Sequence, residues 1–498
     1  MEPLGISNLE DRRRDADRYG PPLPRSAANR GIAPFQACVL LLLAASTGLL
    51  AWFAPESLGR GIILAGAWGF LVVAVWRVGL IIVSAVSRPP PPEPPVWPRY
   101  TVLAALHDEA EVVGQLIERL SRIDYPPDRL QGLLLLEAHD RDTIATALAT
   151  PRPGWLDVFV VPPGTPQTKP RALNCGLAHA TGDLLTVYDA EDDPDPRQLR
   201  EAASRFAADP TGRLACLQAP LRIRPGRPSD GSPFLDRQFA AEYASLFETT
   251  LPGMARLGLP FPLGGTSNHF RTDVLSAVEG WDSWNVTEDA DLGFRLWSRG
   301  WRLGVISRPT WEGPPGRLDD WLPQRTRWLK GYLQTWGVHT HRPWQLGWRG
   351  ITALTLTVGA GLAAAALHGL SLAWVTAAIL VSLIAGLPPE TPALAVSVLV
   401  LGAASAWLSC AIGARRAGVP YGPADMIAAP AYWALLSLAF AHALWRLIRN
   451  PFAWDKTRHR RDTPLPEGEA AAETHEVLDA TAPLRLSATY AAASEPVA

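Results

Sequence analysis

Four carboxylates in five residues, Asp189, Glu191, Asp192 and Asp193, follow the apolar run Leu184 to Tyr188, and Pro194 and Pro196 then end regular structure. On an extended chain, residues two apart point the same way, so Asp189 and Glu191 could share one hard divalent cation with a phosphate. If a turn begins at Asp189, Asp192 takes the place of Glu191. The competing reading is a solvated acidic turn, and this stretch alone does not separate the two. Other candidates lie nearby in sequence. Glu137 and Asp140 close the run LQGLLLLEA, and Lys169 and Arg171 stand where a helix begins, a place that favours anions. Glu288 and Asp289 open the amphipathic stretch NVTEDADLGFRLWSRGW, and Gln324, Arg327 and Trp328 belong to QRTRW. The chain has only three lysines, Lys169, Lys330 and Lys456, and each falls in or beside such a segment.

The elements that must position these groups alternate between strand and helix patterns from Arg99 to about Asp320. Strand-like runs are Tyr100 to Leu106, Leu130 to Ala138, Trp155 to Val161 and Leu184 to Tyr188. Helical spacing appears over Glu111 to Ile123, Arg171 to Ala180 and Pro196 to Asp209. The pattern predicts an α/β domain with a mostly parallel sheet and helices on both faces, whose ligands sit beyond the carboxyl ends of the strands.

Apolar segments frame this block. Phe35 to Ala54 and Gly61 to Val86 predict two transmembrane helices in residues 35–87, with Arg77 turned to the bundle or a surface. Residues 88–98 form a proline-rich linker. Trp321, Trp328, Trp336, Trp344 and Trp348, interleaved with cations, predict an amphipathic helix region in the membrane interface over 321–349. Residues 350–448 predict about four further spans, with Ile351 to about Leu387 read as two short spans or one span and a re-entrant piece. Residues 1–34 and 449–498 read as cytoplasmic tails, the second mostly disordered; Arg415 and Arg416 are the charges this topology does not accommodate. With 46 basic and 48 acidic residues and a net charge of −2, no nucleic-acid partner is expected. Four scattered cysteines indicate a reducing environment and no zinc spacing.

Taken in order, a strand-end acid, KPRALN, DAED, TED and QRTRW between apolar segments resemble glycosyltransferase family 2, and within it the membrane-embedded polysaccharide synthases of cellulose, curdlan and hyaluronan. The likeness covers about Tyr100 to Trp336 and extends to PAYWALLSLAFAHAL and PFAWDKTRH. It implies a GT-A, Rossmann-like cytosolic domain inserted between transmembrane helices. It also implies that Glu137 and Asp140 hold the nucleotide, and that Asp189 with Glu191 (or Asp192) binds Mg²⁺ or Mn²⁺. Lys169, Arg171 and Arg327 would face the diphosphate, and Asp289, beside Glu288, would be the general base. Gln324, Trp328 and the loop residues Gly265, Thr266 and Asn268 of LGGTSNHFR would meet the acceptor. One departure is the first acidic site, which reads Glu137, Ala138, His139, Asp140 where related enzymes pair aspartates. Asp193, Asp195, Glu242 and Asp291 are read as solvated or capping charges, and His107, His139 and His269 as ordinary polar residues. The implied activity is inverting, metal-dependent transfer from a UDP-sugar, UDP-glucose by precedent, to a growing β-linked glycan at the bacterial inner membrane. Alternatives are single addition to a lipid-linked acceptor and an inactive receptor or scaffold; the lipid bilayer is a partner in each, and an export or regulatory subunit is left open.

Overall fold

The computed structural model describes residues 28, 31–86, 89–225, 231–386 and 393–454. Most of the N-terminal tail and everything after Trp454, Lys456 included, lie outside the described residues.

Two helices come first, α1 (Pro34–Phe53) and α2 (Pro55–Ser84), each opening with proline in its first turn, where the missing N–H costs nothing. The soluble block then runs β1 (Tyr100–Leu106), α3 (Val113–Ser121), β2 (Leu130–Glu137), α4 (Arg141–Ala149), β3 (Leu156–Val161), α5 (Lys169–Leu177), β4 (Leu184–Tyr188), β5 (Asp193–Pro194) and α6 (Gln198–Ala207). It continues with β6 (Leu214–Gln218), β7 (Leu221–Ile223), α7 (Pro233–Ser245), α8 (Leu251–Arg256), β8 (Asn268–Arg271), α9 (Thr272–Ala277), α10 (Glu288–Ser298), β9 (Arg302–Val305) and β10 (Thr310–Glu312). A π turn, Leu246–Thr250, joins α7 to α8 without a break.

Seven strands form one sheet in the order β3-β2-β1-β4-β8-β6-β9. Strands β1 to β4 are parallel to one another, β8 runs antiparallel between β4 and β6, and β9 returns parallel to β6. The parallel strands are buried on both faces, which is why LLLLE and LLTVY read as continuous rather than alternating apolar runs. This is the α/β, Rossmann-like GT-A architecture the sequence implies. A second sheet, β5-β10-β7, stands just past the carboxyl end of β4.

After the block come α11 (Leu318–His339), α12 (Gly347–Leu354), α13 (Ala360–Ala385), α14 (Ala393–Ala417) and α15 (Pro423–Arg449). A π turn at Thr355–Gly359 joins α12 to α13. Four helical runs are long and apolar enough to cross a bilayer: Pro34–Phe53, Pro55–Ser84, Gly347–Ala385 and Pro423–Arg449. The chain is a membrane protein. Where Ile351 to Leu387 is read as two pieces, the structure has one continuous run of 39 residues, because nothing between Gly347 and Ala385 breaks a helix. Beyond α11, three long apolar helical runs, α12 with α13, α14 and α15, therefore follow the soluble block among the described residues, against about four expected spans.

The tryptophan-rich segment also differs from expectation. Trp321 is fully buried, and Trp328 and Trp336 pack against the same core, so α11 is a wedge between the soluble block and α15. Only Trp344 and Trp348, at the corner before α12, are exposed as an interfacial position requires. The helix that meets the apolar elements most closely is α7 with its continuation α8. A Cβ on Gly253 would lie 2.7 Å from the Leu80 carbonyl of α2, and Gly413 of α14 abuts the Ala244 carbonyl of α7.

Candidate functional site

At the carboxyl end of β4 the extended backbone stops at Tyr188, and Asp192 folds back. Its Oδ2 accepts from the Asp189 backbone N–H at 2.7 Å and from the Thr266 hydroxyl, while its Oδ1 is buried without a hydrogen-bond partner. Burial, and then the carboxylates of Asp189 and Glu191, push Asp192 well above the usual carboxylate range. A turn therefore begins at Asp189. Its side chain pairs with the ammonium of Lys169, from the first turn of α5. That ammonium also donates to the Gly265 carbonyl at 2.8 Å. Burial works against charge on Lys169, but Asp189 and Glu288 outweigh it and hold the lysine above its ordinary value.

The loop 264–268 is fixed against the end of β4 from several sides. Ser267 N–H donates to the Val187 carbonyl at 2.7 Å, Gly264 N–H to Gln218 at 2.8 Å, and the Asn268 amide to the Gly264 carbonyl at 2.6 Å. Thr266 and Asn268, expected at the acceptor, thus make hydrogen bonds that build the loop, and Gly265 is the residue of the loop nearest the charged groups. A Cβ on Gly265 would lie 3.3 Å from Asp289 Oδ2, 3.8 Å from Lys169 Nζ and 3.9 Å from Asp189 Oδ2. Glycine leaves open the space on which these three groups converge.

Glu288 and Asp289 occupy the first turn of α10, where the helix dipole favours negative charge. Burial nonetheless raises both, and Glu288, further raised by Asp289, is pushed up to about 8. Lys169 and Arg327 act in the opposite direction on both carboxylates. Asp289 is therefore a half-buried carboxylate more basic than usual, with Lys169 and Arg327 partly offsetting the effect of burial.

The ends of β1 and β2 are organised differently. Arg171 donates to both oxygens of Glu137 at 3.0 and 2.8 Å and to the Pro162 carbonyl at 2.8 Å, so its guanidinium is engaged inside the fold. Asp140 is the N-cap of α4, accepting from Thr143 N–H at 3.2 Å and from Asp108 N–H at 2.6 Å. One of the histidines read as ordinary polar residues, His107, has carboxylates close by. His107, Asp108 and Asp140 bring ligand atoms within 4.8 Å of one another, a grouping made by two strand ends that the linear sequence does not display.

In QRTRW, Gln324 has a buried side-chain oxygen without a hydrogen-bond partner, and the Arg327 guanidinium lies 4.8 Å from the ring centre of Trp454. Trp328 packs beside Phe239 and Tyr243, with the Arg325 guanidinium 4.6 Å from its ring. Arg325 pairs with Glu242 and donates to the Tyr432 hydroxyl at 2.9 Å, tying α11 to α7 and α15. Glu242 is thus ion-paired while its side chain stays 39% exposed. Asp291, by contrast, is buried between Arg295 and His339, which hold it below the usual carboxylate range despite its burial. Asp193 and Asp195 pair with arginines across strands, Arg122 and Arg224 for the first and Arg308 for the second.

One carboxylate escapes sequence reasoning. Glu312, at the end of β10, is raised well above the usual range by burial and then by Asp192, Glu191 and Asp189. It sits alone in TWEGPP, more than a hundred residues from the carboxylates it meets.

The sequence matches "Glycosyl transferase family group 2" over residues 184–408 and "Glycosyl transferase family 2" over residues 101–237. The chain carries glycosyltransferase family 2 domains. The chain is 27% identical over 263 residues to the beta-monoglucosyldiacylglycerol synthase of Synechocystis, covering 51% of this chain and 52% of that protein. It is 25% identical over 266 residues to the cellulose synthase 1 catalytic subunit (UDP-forming) of Komagataeibacter xylinus, covering 51% of this chain and 34% of that one. The match thus spans about half of the first relative and a third of the second. A mannosyltransferase from Pyrobaculum calidifontis, solved with GDP-Man and Mn²⁺, is 18% identical over 78% of this chain and 97% of its own, with a TM-score of 0.48.

Proposed function

We propose that this enzyme moves a sugar from a nucleotide diphosphate donor, by the names of its relatives UDP-glucose, onto a hydroxyl presented at the bilayer of the bacterial inner membrane, with inversion at the anomeric carbon. The observation that carries this reading is the convergence of Asp289, Lys169 and Asp189 on the open face of Gly265. Asp289 takes the acceptor proton as that oxygen bonds the anomeric carbon. The bond from this carbon to the diphosphate breaks, and its electron pair leaves with UDP. Lys169 sets a positive charge beside the departing diphosphate, and Arg327 offers it a planar fork of donors.

The carboxylates at the end of β4 suit a divalent cation: the buried Asp192 Oδ1 lacks a hydrogen-bond partner, and hard oxygens gather there with one ammonium among them. Mg²⁺ or Mn²⁺ would be held by Asp189 with Glu191 or Asp192 and would neutralise charge on the leaving diphosphate. Glu137 and Asp140, at the neighbouring strand ends, shape the nucleotide end of the cleft. Arg171 serves it through Glu137.

A lipid hydroxyl is the acceptor the structure favours. Phe247, in the π turn that packs on α2 and α14, lies 3.0 Å from the position of a Cβ on Gly264, so the catalytic loop is one side chain away from the apolar helices. Trp328, the platform on which a glycan would stack, has Arg325 over its ring. The test uses full-length protein in nanodiscs containing diacylglycerol, with Mn²⁺ and a panel of UDP-sugars, following UDP release and product mass. The expected result is metal-dependent release with one donor and a lipid carrying one sugar. A long digestible polymer would establish the growing-glycan reading, and folded protein that releases nothing would favour a receptor or scaffold.

A further inference from the structure

Resting on the proposed divalent-cation site, we propose that Glu312 is a carboxylate ligand of that cation, supplied from the second sheet to the carboxylates at the end of β4. The register of the small sheet places it there. β10 runs antiparallel to β5 with Thr310 opposite Pro194 and Trp311 opposite Asp193, so Glu312 is the first residue of β10 past the last pair of this ladder, at the end from which the chain leads back to Asp192. On its other edge β10 pairs with β7, Glu312 lying beside Ile223, and the Glu312 carbonyl accepts from Arg224 N–H at 2.9 Å, so the backbone that carries this carboxylate is held from both sides.

The face of β10 is fixed independently. The Thr310 hydroxyl lies 2.6 Å from that of Ser267 in the catalytic loop, and Gln198 donates to it at 3.0 Å. Glu312, two residues on, shares that face, while Trp311 points the other way, 5.8 Å from the Arg222 guanidinium. One residue back along the loop from Ser267, Thr266 holds Asp192. Glu312 is thus carried past Ser267 to the place where Asp192, wholly buried, keeps Oδ1 without a hydrogen-bond partner.

Three neighbouring carboxylates, with Lys169 already engaged by Asp189 and Gly265, make a set whose natural complement is a divalent cation. Oxygen donors from two sheets would also fix the distance between β4 and β10, which a single acidic turn cannot do.

The experiment titrates full-length protein in detergent with Mn²⁺ and reads bound metal by electron paramagnetic resonance, with UDP present and no sugar donor, so that turnover plays no part. Asp189→Asn is the comparator. Glu312→Gln is expected to weaken Mn²⁺ binding at least tenfold while thermal unfolding without metal stays unchanged or rises, since a repelled carboxylate has been removed. Glu312→Asp, which keeps the charge one methylene shorter, is expected to bind between wild type and Glu312→Gln. The proposal is overturned on its own if Asp189→Asn loses Mn²⁺ and Glu312→Gln binds within twofold of wild type, or if Glu312→Asp and Glu312→Gln lose it alike. Wild-type protein that binds no Mn²⁺ with UDP present overturns both this proposal and the metal reading beneath it.

Discussion

Glu137 at the end of β2 and Asp189 at the end of β4 are both strand-terminal carboxylates held by a cation from the first turn of α5, Arg171 for one and Lys169 for the other. The two pairs are built for different work. Arg171 grips Glu137 with both oxygens satisfied, has a third bond to a carbonyl, and leaves each side chain about 6% exposed. Asp189 is 26% exposed, and its partner Lys169 has Gly265 as its other contact and Glu288 and Asp289 of α10 as neighbours. A planar guanidinium closes one pair, and a flexible ammonium leaves the other partly open to solvent, where the proposed reaction would change charge. Under that proposal the two residues of KPR differ in chemistry because the strand ends they serve differ in task.

Removing the base should have the largest effect. Asp289→Asn is expected to lower kcat by about 10³-fold with UDP binding and thermal unfolding retained, because proton acceptance in the transition state contributes about 10² to 10⁴. Wild-type-like turnover would take Asp289 out of that role and leave the β4 end as a binding site alone.

Lys169→Met comes next and tests the open pair. A decrease in kcat of about 10²-fold is expected, the scale of one lost charge-stabilising donor. The pH profile adds a signature that a structural role lacks. Activity needs ionised Asp289, so it rises with pH through a midpoint above the ordinary aspartate range, burial being the first cause. Lys169 favours the ionised form, so removing it should move that midpoint further up. A midpoint that stays put would mean that Asp289 does not sense the lysine.

Much of this difference was legible from sequence. KPRALN, DAED and TED are local patterns left by strand ends and helix starts, and the fold brings Lys169, Asp189 and Asp289 from these three segments together at Gly265. What escaped is what depends on partners far along the chain. The pairing of Glu242 with Arg325, 83 residues on, leaves no local pattern, and Glu312 has no motif around it. The geometry of 264–268 also divides one motif into a glycine that faces the charged groups and the scaffold of Thr266 and Asn268. The tryptophans of α11 misled because the same spacing serves an interfacial belt and a wedge packed between a domain and an apolar helix.

The closed pair is tested by Arg171→Met. Stranding Glu137 in a buried site should cost about 3–5 kcal/mol of stability, read as a lower unfolding temperature, with kcat per folded molecule little changed. Replacing both partners, Arg171→Met with Glu137→Leu, should recover much of that loss, since an apolar pair of similar volume carries no desolvation cost. If Arg171→Met instead unfolds like wild type and loses donor affinity, the arginine belongs to the diphosphate, and the two pairs are alike.

The smallest effect is expected at Asp140, and it decides whether the β1 and β2 ends are only structural. Asp140 caps α4 and accepts from Asp108 N–H, whose residue sits in the left-handed region at φ 52°, so its side chain stabilises a turn that few residues adopt unaided. Asp140→Ala should cost about 1 kcal/mol through the lost cap, with a modest rise in KM for the donor. Asp140→Asn keeps one acceptor oxygen, enough for the Thr143 or the Asp108 N–H but not for both, so it should restore only part of that stability. The same substitution also tests the converging atoms of His107, Asp108 and Asp140. Mn²⁺ binding that survives Asp140→Asn but not Asp189→Asn keeps the cation at the β4 end, where Lys169 already marks the need for positive charge. The opposite result would move the cation to the β1 and β2 ends and make the lysine at Asp189 a permanent partner, reversing the contrast between the two strand ends.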